Sequence, residues 1–486
     1  MIAKAFWGGA AALLFFTLAT ANSGGYRYGV SDQAFYVPAL TKAMTPAMFP
    51  HDGDLLAVQM RVWLGDDIVS AASHVIPIDL PALAIVLYVA GLVLLAGAIA
   101  FFVRGLGGSW WAVAAALALA TLRHRIARTG ANSLEGYFHP RMIAFALGVW
   151  ALGFVLRRRG IAAALLIALA FVVHPTTAVW FGIAAGAAAA WQADRRSLWI
   201  VAASIAIVSL WLLAAGPRMD SAWLAVFADK DYLFPADWPA WAWALNLSYP
   251  VVLAAVWLRR RARGVTVAGE NALMVGLLVL MTGFLVSVPL TAGHVALVVQ
   301  AQVTRVLWVL DSVACAYVAW WLLDDVGAGR AASWRRLTVA VVVAAAAARG
   351  YYVLVLDAGR PLVALSLPAD DWTAAMTFLR TRPVTTLVLA DPEHAWLYGS
   401  SVRVAALRDT VLEQVKDSAM AIYDRPIAMR IGERAVALHG FADFTEAQFV
   451  TAGARYDADV LVIERGRSFT LPVLYENARF VIYALR

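Results

Sequence analysis

The sequence has few charged residues and a single cysteine. Charged side chains make up 15% of its 486 residues and hydrophobic ones 62%, whereas soluble proteins average about 25% charged and 45–50% apolar residues. This balance excludes an ordinary soluble protein and indicates a polytopic membrane protein. The lone Cys315 excludes an internal disulfide and a cysteine-based metal cluster.

Several common motifs are also missing. The sequence contains no Gly-rich phosphate loop of the Rossmann or P-loop type, no Gly-x-Ser-x-Gly nucleophile elbow and no internal repeat. The net charge of +7 comes mostly from arginines in short clusters beside apolar runs. Cytoplasmic loops that obey the positive-inside rule explain this charge better than nucleic-acid binding, so we expect no nucleic-acid partner.

Long apolar runs dominate the first 356 residues. A membrane span needs about 20 residues, and about eleven runs approach that length: 5–22, 80–104, 109–122, 140–156, 160–174, 176–191, 198–216, 239–258, 271–290, 303–323 and 337–356. The first run also fits a signal peptide with small residues near Ala21. We favour an uncleaved first span, because the next loop needs that span for its orientation.

Arginine and lysine positions predict the orientation of these runs. Basic residues fall at the N-terminus and in every second loop: Lys4, Arg104, Arg157–Arg159, Arg195–Arg196, Arg259–Arg261, Arg330 and Arg335–Arg336. The prediction is therefore a cytoplasmic N-terminus and a C-terminus outside. For a bacterial chain this means a multi-pass protein of the inner membrane with a periplasmic or extracellular C-terminal domain.

Two predicted domains follow from the change in pattern near residue 357. Residues 1–356 form a transmembrane domain, and its outer loop 23–79 carries two amphipathic helices, near 33–44 and 54–64, for which Ser31 and Asp52 or Asp54 can act as caps. Residues 357–486 read as a soluble α/β domain with a largely parallel sheet. Its predicted strands are 385–390, 459–464 and 479–484, and its predicted helices are 371–380, 410–423 and 445–452.

Three aspartates of the first outer loop are candidates for chemistry. Asp32, flanked by Gln33 and Tyr36, can remove a proton from an acceptor hydroxyl or help to hold a divalent cation. The alternative is a carboxylate that is stabilised by the dipole at the N-terminus of a helix. Asp52 and Asp54 offer oxygen ligands of the kind that Mg²⁺ or Mn²⁺ prefers, but two aspartates around a glycine also make an ordinary turn.

Other polar groups gather in the outer loops. Glu135, His139 and Arg141 stand at the mouth of the fourth run, His174-Pro175 interrupts an apolar stretch, and Gln302 and Arg305 stand at the start of the tenth run. His139 is a candidate proton donor or ligand, with a helix cap before Pro140 as the alternative. Charged groups near a membrane usually mark a site or a paired network. Arg305, Arg141, Arg128 and Arg125 are candidates to bind a phosphate, with anchoring to lipid headgroups as the alternative.

This layout resembles the GT-C class of integral-membrane glycosyltransferases, which includes protein O-mannosyltransferases and aminoarabinose transferases. The likeness is carried by the cytoplasmic N-terminus, the acidic motif Ser31-Asp32-Gln33 with Tyr36, two helices in the first loop, about eleven spans and the outer C-terminal domain. Tyr137-Phe-His-Pro-Arg-Met142 and His174-Pro-Thr-Thr177 look like segments of uncharacterised bacterial membrane proteins of this type.

The resemblance implies a polyprenyl-phosphate-linked sugar donor, a glycan, lipid or protein acceptor, and transfer at the outer face with Asp32 as the catalytic base. Many relatives have a second carboxylate where this chain has Gln33, which puts metal dependence in question. Two alternatives stay open. A transporter or flippase also carries ionisable residues, but near the midplane and often within repeats. A non-catalytic assembly protein that binds a lipid-linked glycan would not need the second carboxylate.

Overall fold

The fold is seen in a computed structural model that describes residues 2–61, 63–327, 329 and 332–486. Arg330, one of the basic residues used to orient the spans, lies outside the described residues.

Helices account for most of the described chain. Their bounds are α1 Ile2–Asn22, α2 Gln33–Met44, α3 Gly53–Arg61, α4 Gly65–Ser73, α5 Leu80–Gly105, α6 Trp110–Thr121, α7 Pro140–Leu156, α8 Gly160–Val173, α9 Pro175–Ala193, α10 Arg195–Ala215, α11 Ser221–Ala225, α12 Ala240–Ala262, α13 Glu270–Ala292, α14 Ala296–Gln300, α15 Val306–Trp320, α16 Ala332–Tyr351, α17 Asp371–Arg380, α18 His394–Leu397, α19 Val402–Ala405, α20 Gln414–Ala421, α21 Arg425–Ala437 and α22 Glu446–Tyr456. Turns of π-helix, Trp321–Asp325 and Tyr352–Asp357, extend α15 and α16.

The strands are short. They are β1 Tyr26–Arg27, β2 Val363–Ala364, β3 Leu387–Leu389, β4 Asp409–Thr410, β5 Val460–Glu464, β6 Val473–Glu476 and β7 Phe480–Ala484.

Each of the eleven apolar runs forms a helix. Among the described residues, six helices are long and apolar enough to cross a membrane: Leu80–Gly105, Arg196–Ala215, Ala240–Ala262, Glu270–Ala292, Val303–Asp325 and Ala332–Asp357. Shorter apolar helices include Trp110–Thr121, Pro140–Leu156 and Gly160–Val173. The chain therefore has the helices of a multi-span membrane protein, while a count of eleven spans stays a prediction.

The chain forms two compact units. The helical unit consists of Met1–Tyr26, Val86–Met219 and Asp229–Val363, and the sheet unit consists of Arg27–Ile85, Asp220–Ala228 and Ala364–Arg486. The sequence pattern placed the first outer loop with the spans and began the soluble domain at residue 357. In the structure most of that loop packs with the C-terminal segment instead.

In the helical unit, α7 packs against α8 and α9, and α9 packs against α13. Phe145 of α7 stacks on Trp308 of α15, with 3.9 Å between the ring centroids. The break between α8 and α9 follows from the sequence. Pro175 disfavours helical backbone at the preceding residue, so His174 is extended, and the proline then starts α9.

In the sheet unit, five strands run in the order β4-β3-β5-β7-β6. The pairs β3–β4 and β3–β5 are parallel, whereas β5–β7 and β6–β7 are antiparallel. The sheet is therefore mixed, and the prediction of a largely parallel sheet was wrong for its second half. There β7 returns beside β5 without a crossover helix.

The described residues of the first outer loop, 23–61 and 63–79, form three helices, not the two that were predicted: α2, α3 and α4. Gln33 to Leu40 of α2 are all buried, so this helix belongs to the interior of the sheet unit instead of presenting one apolar face to lipid. Hydrophobic periodicity could not show that α2 is buried, because a helix with one apolar face and a helix covered on all sides give similar patterns over 12 residues.

Candidate functional site

Asp32 stands at the start of α2 but does not use its carboxylate to cap the helix. Its backbone is helical (φ −69°, ψ −10°) and its side chain makes no capping hydrogen bond. Lys416 Nζ of α20 donates to Asp32 Oδ1 at 2.8 Å. Ser31, the expected cap, has a left-handed backbone with φ of 54° and lies 3.4 Å from the same ammonium group. The carboxylate therefore faces a cation and not its own helix terminus.

Gln33 and Tyr36, the predicted neighbours of Asp32, are both buried on α2. Gln33 Oε1 accepts a hydrogen bond from the backbone N–H of Gly29 at 2.6 Å. The ring of Tyr36 packs edge-on against Trp63, with 5.4 Å between centroids. Gln33 thus fixes the turn that leads into Asp32.

Asp52 is bound in an ion-pair network and is unsuitable as a metal ligand. Its Oδ2 accepts from Arg403 Nε at 2.7 Å and from the backbone N–H of Thr410 at 3.3 Å. Burial opposes its charge, but the charges of Arg403 and Arg430 and the hydrogen bonds from Arg403 and Thr410 together hold the pKa of Asp52 below its ordinary value.

Arg403 is the centre of this buried network. It also donates to both oxygens of Asp417, at 2.7 and 3.0 Å, and its Nη1 lies 3.6 Å from Glu413 Oε2. Burial raises the pKa of Glu413 to about 7, although the charge of Arg403 acts in the opposite direction. One guanidinium thus pairs with three carboxylates.

The arrangement of Asp32, Asp52 and Asp54 does not support the predicted Mg²⁺ or Mn²⁺ site. Asp54 is exposed in the first turn of α3, Asp52 is bound to Arg403 and Asp32 to Lys416. Across the part of the chain that the structure describes, no group of three or more His, Cys, Asp or Glu side chains is arranged to hold a metal ion. These three aspartates do not fit a shared Mg²⁺ or Mn²⁺ site.

In the helical unit, Glu135, His139 and Arg141 come together at the start of α7. His139 caps the helix, because its Nδ1 accepts from the backbone N–H of Arg141 at 3.2 Å. The carboxylate of Glu135 accepts from Arg141 Nη2, and both side chains are buried. The structure therefore places all three in one polar cluster.

His174 and Arg305 lie near the same cluster. The ring centroid of His174 lies 5.7 Å from that of His139. His139, Arg305 and Arg141 each interact electrostatically with His174. Its Nδ1 lies 3.2 Å from the Thr176 hydroxyl and 3.0 Å from that of Thr177.

A strained turn leads into α15 beside this cluster. Gln302 has a left-handed backbone with φ of 53°, an uncommon conformation for a residue other than glycine, and it is buried. A short 3₁₀ turn, Val303–Arg305, follows and ends on Arg305, which is half-buried. We call Arg141, Arg305, His139 and His174 the Arg–His cluster.

Arg125 and Arg128 are both exposed. Arg128 forms an ion pair with Asp231, and Arg125 takes part in a backbone bridge with Asn132. Their proposed phosphate-binding role is therefore weaker than that of Arg141 and Arg305.

Sequence reasoning missed Lys416, Arg403 and Asp311. Asp311 lies on α15 and accepts from His124 Nε2 at 3.1 Å, so one histidine of the basic segment 123–128 has a buried carboxylate partner. An aspartate within an apolar helix is itself a signal of a paired group. Lys416 and Arg403 gave no such signal, because basic residues are common in soluble helices.

Comparison with known proteins finds solved structures alone. No family model and no curated protein sequence matches this chain. Three of the matching structures are of the oligosaccharyltransferase of Archaeoglobus fulgidus. The AglB complex with an inhibitory peptide and a dolichol-phosphate has a TM-score of 0.44 at 14% identity and covers 95% of this chain and 70% of that one.

The other two are similar in extent. The enzyme tethered with an acceptor peptide containing the NVT sequon has a TM-score of 0.46 at 14% identity, covering 94% of this chain and 69% of that one. The complex with Zn and sulfate has a TM-score of 0.40 at 15% identity, covering 94% and 67%. At these TM-scores and identities, function has to be argued from this chain's own residues.

Proposed function

We propose that this protein is a membrane glycosyltransferase of the GT-C type, which moves a sugar from a polyprenyl-phosphate donor to an acceptor at the outer face of the membrane. The observation that carries the proposal is the Arg–His cluster at the ends of apolar helices. Arg141 and Arg305, with two histidines beside them, supply positive charge and hydrogen-bond donors for an anion, and a lipid phosphate is the anion that reaches the ends of apolar helices from the bilayer.

Arg141 and Arg305 suit different parts of that task. Arg141 is already paired with the buried Glu135, so its guanidinium is fixed in direction. Arg305 is half-buried at the end of a strained turn. A planar guanidinium binds phosphate oxygens through two parallel hydrogen bonds, which a lysine cannot reproduce.

In the proposed reaction, the acceptor oxygen attacks the anomeric carbon and the bond from that carbon to the phosphate oxygen breaks. Asp32 takes the acceptor proton, and the electron pair of the broken bond stays on the polyprenyl phosphate. Negative charge grows on that phosphate in the transition state, so a guanidinium bound to the phosphate stabilises the transition state more than the ground state.

The remaining site residues keep secondary proposed roles. His139 uses Nδ1 to cap α7, so a proton transfer by His139 would involve Nε2. Asp54 is exposed, and its proposed role as a catalytic acid or base is secondary to that of Asp32. No step is assigned to a divalent cation, because the aspartates proposed to hold it are engaged or apart. Bacterial inner-membrane localisation and an external C-terminal domain remain part of the proposal.

The test is acceptor-dependent release of polyprenyl phosphate by the full-length protein in lipid nanodiscs. The probes are undecaprenyl-phosphate mannose, glucose and aminoarabinose, each offered with membrane extract as the source of acceptor. We expect one donor to be cleaved with the sugar recovered on the acceptor. Movement of an intact donor across proteoliposomes, with no cleavage, would instead favour a flippase.

A further inference from the structure

Lys416 holds a defined place beside the proposed catalytic carboxylate. Its Nζ is 2.8 Å from Asp32 Oδ1 and 3.4 Å from Ser31 Oγ. The side chains are 17% and 22% exposed for Lys416 and Asp32, so the ion pair is largely shielded from water. A shielded pair of this length is a stronger interaction than a solvated surface pair.

The position of Lys416 is set by its neighbours on α20. Asp417, the next residue, accepts two hydrogen bonds from the buried Arg403, and its Oδ2 also accepts from the backbone N–H of Glu413 at 2.9 Å. Arg403 in turn holds Asp52. The helix that carries Lys416 is thus tied to the loop that carries Asp32, entirely within the sheet unit.

The same contacts leave little room for a cation of another kind at Asp32. The next residue is Gln33, whose side-chain oxygen is bonded to Gly29. Asp52 is bound to Arg403, and Glu413 accepts from the hydroxyl of Ser401. A divalent cation is held by several oxygen ligands, and each of these three side chains already has another partner.

We propose that Lys416 is the resident counter-ion and positioning residue of Asp32, so that this protein transfers its sugar without a divalent cation at Asp32. The ammonium group keeps the Asp32 carboxylate ionised and pointed in one direction until it receives the acceptor proton. Its positive charge then remains beside the neutral acid. This inference rests on the proposed function of Asp32 as the base.

The first test uses donor cleavage by the full-length protein in nanodiscs. Wild-type activity is expected to be the same in EDTA as with added Mn²⁺. K416A is expected to lose activity by about 10²-fold, the effect of a misplaced reacting group. K416R is expected to keep most of the wild-type activity, and ethylammonium added to K416A is expected to restore a part of the lost activity. R425A is the matched control, because Arg425 forms an exposed pair with Asp220 in the same unit.

The second readout needs no activity. Titration with Mn²⁺, followed by electron paramagnetic resonance, is expected to give the same binding curve for the wild type and D32N. A saturable Mn²⁺ site lost in D32N, loss of wild-type activity in EDTA, or an unchanged rate for folded K416A would each overturn the inference. Normal transfer by D32N would overturn the proposed function itself, which distinguishes the two failures.

Discussion

Arg403 donates from Nε to Asp52 Oδ2 at 2.7 Å, across 351 positions of the sequence. Both side chains are buried. The pair explains why most of the first outer loop folds with the C-terminal segment, since neither charge can be left unpaired in the interior.

Removing this guanidinium should destabilise the sheet unit strongly. R403M leaves Asp52, Asp417 and Glu413 buried without their cation, and breaking a buried ion pair typically costs about 3–5 kcal/mol. The measurement is urea unfolding followed by hydrogen exchange of β3 and β5. R425M should cost less than about 1 kcal/mol, because its pair with Asp220 is exposed; equal losses in both variants would contradict the network's role.

The pKa of Glu413 makes the stability of the sheet unit dependent on pH. Burial raises it from 4.5 to about 7. Because the folded-state pKa is the higher one, this contribution to stability is complete below about 4.5 and is lost as the pH rises through 7. The shift corresponds to a few kcal/mol at most, about 1.4 kcal/mol for each pKa unit.

The check is thermal unfolding of the wild type and E413Q between pH 5 and 8. Wild-type stability should fall toward pH 8 relative to E413Q, whose amide stays neutral. Burial raises the pKa of Asp409 to about 6, so Asp409 gives both proteins a pH dependence of stability of the same sign. Subtracting the stability of E413Q from that of the wild type cancels this contribution. A constant difference across this range would show that Glu413 does not titrate there.

The turn before Asp32 depends on glycine at position 29. Gly29 has φ of +79°, and an added Cβ would lie 2.8 Å from Leu367 Cδ2 and 2.9 Å from Val404 Cγ1. G29A should therefore cost about 1–2 kcal/mol for the backbone alone, and more for the contacts. G399A isolates the backbone part, since Gly399 has φ of +83° and nothing lies within 4 Å. Equal melting temperatures for the two variants would mean that Leu367 and Val404 move aside freely.

Binding of a lipid phosphate should depend on Arg305 more than on Arg128. Arg305 belongs to the Arg–His cluster and interacts electrostatically with His174, whereas Arg128 is exposed and paired with Asp231. R305A should weaken undecaprenyl phosphate binding by about tenfold or more, as expected for a lost charge-assisted hydrogen bond of about 1.5–3 kcal/mol. The measurement is native mass spectrometry in detergent, and a larger effect of R128A than of R305A would contradict this assignment.

The sequence predicted some parts of this molecule well for physical reasons. Apolar run length identified the helices, and α17 begins and ends where periodicity placed it, at Asp371 and Arg380. Glu135, His139 and Arg141 were found because charged groups beside apolar runs stand out. Lys416 and Arg403 were not, since their importance depends on contacts with residues about 350 or more positions away, which no local pattern contains.

The most direct test of the account is sugar transfer by D32N, with D67N as the control because Asp67 is an exposed carboxylate of the same loop. Both are assayed as full-length protein in nanodiscs with the donor that the wild type cleaves. General-base catalysis contributes about 10²–10⁴-fold, so D32N should lose transfer by at least about 10²-fold while D67N keeps it. Transfer by D32N at the rate of D67N would contradict the central claim and remove Asp32 from the mechanism.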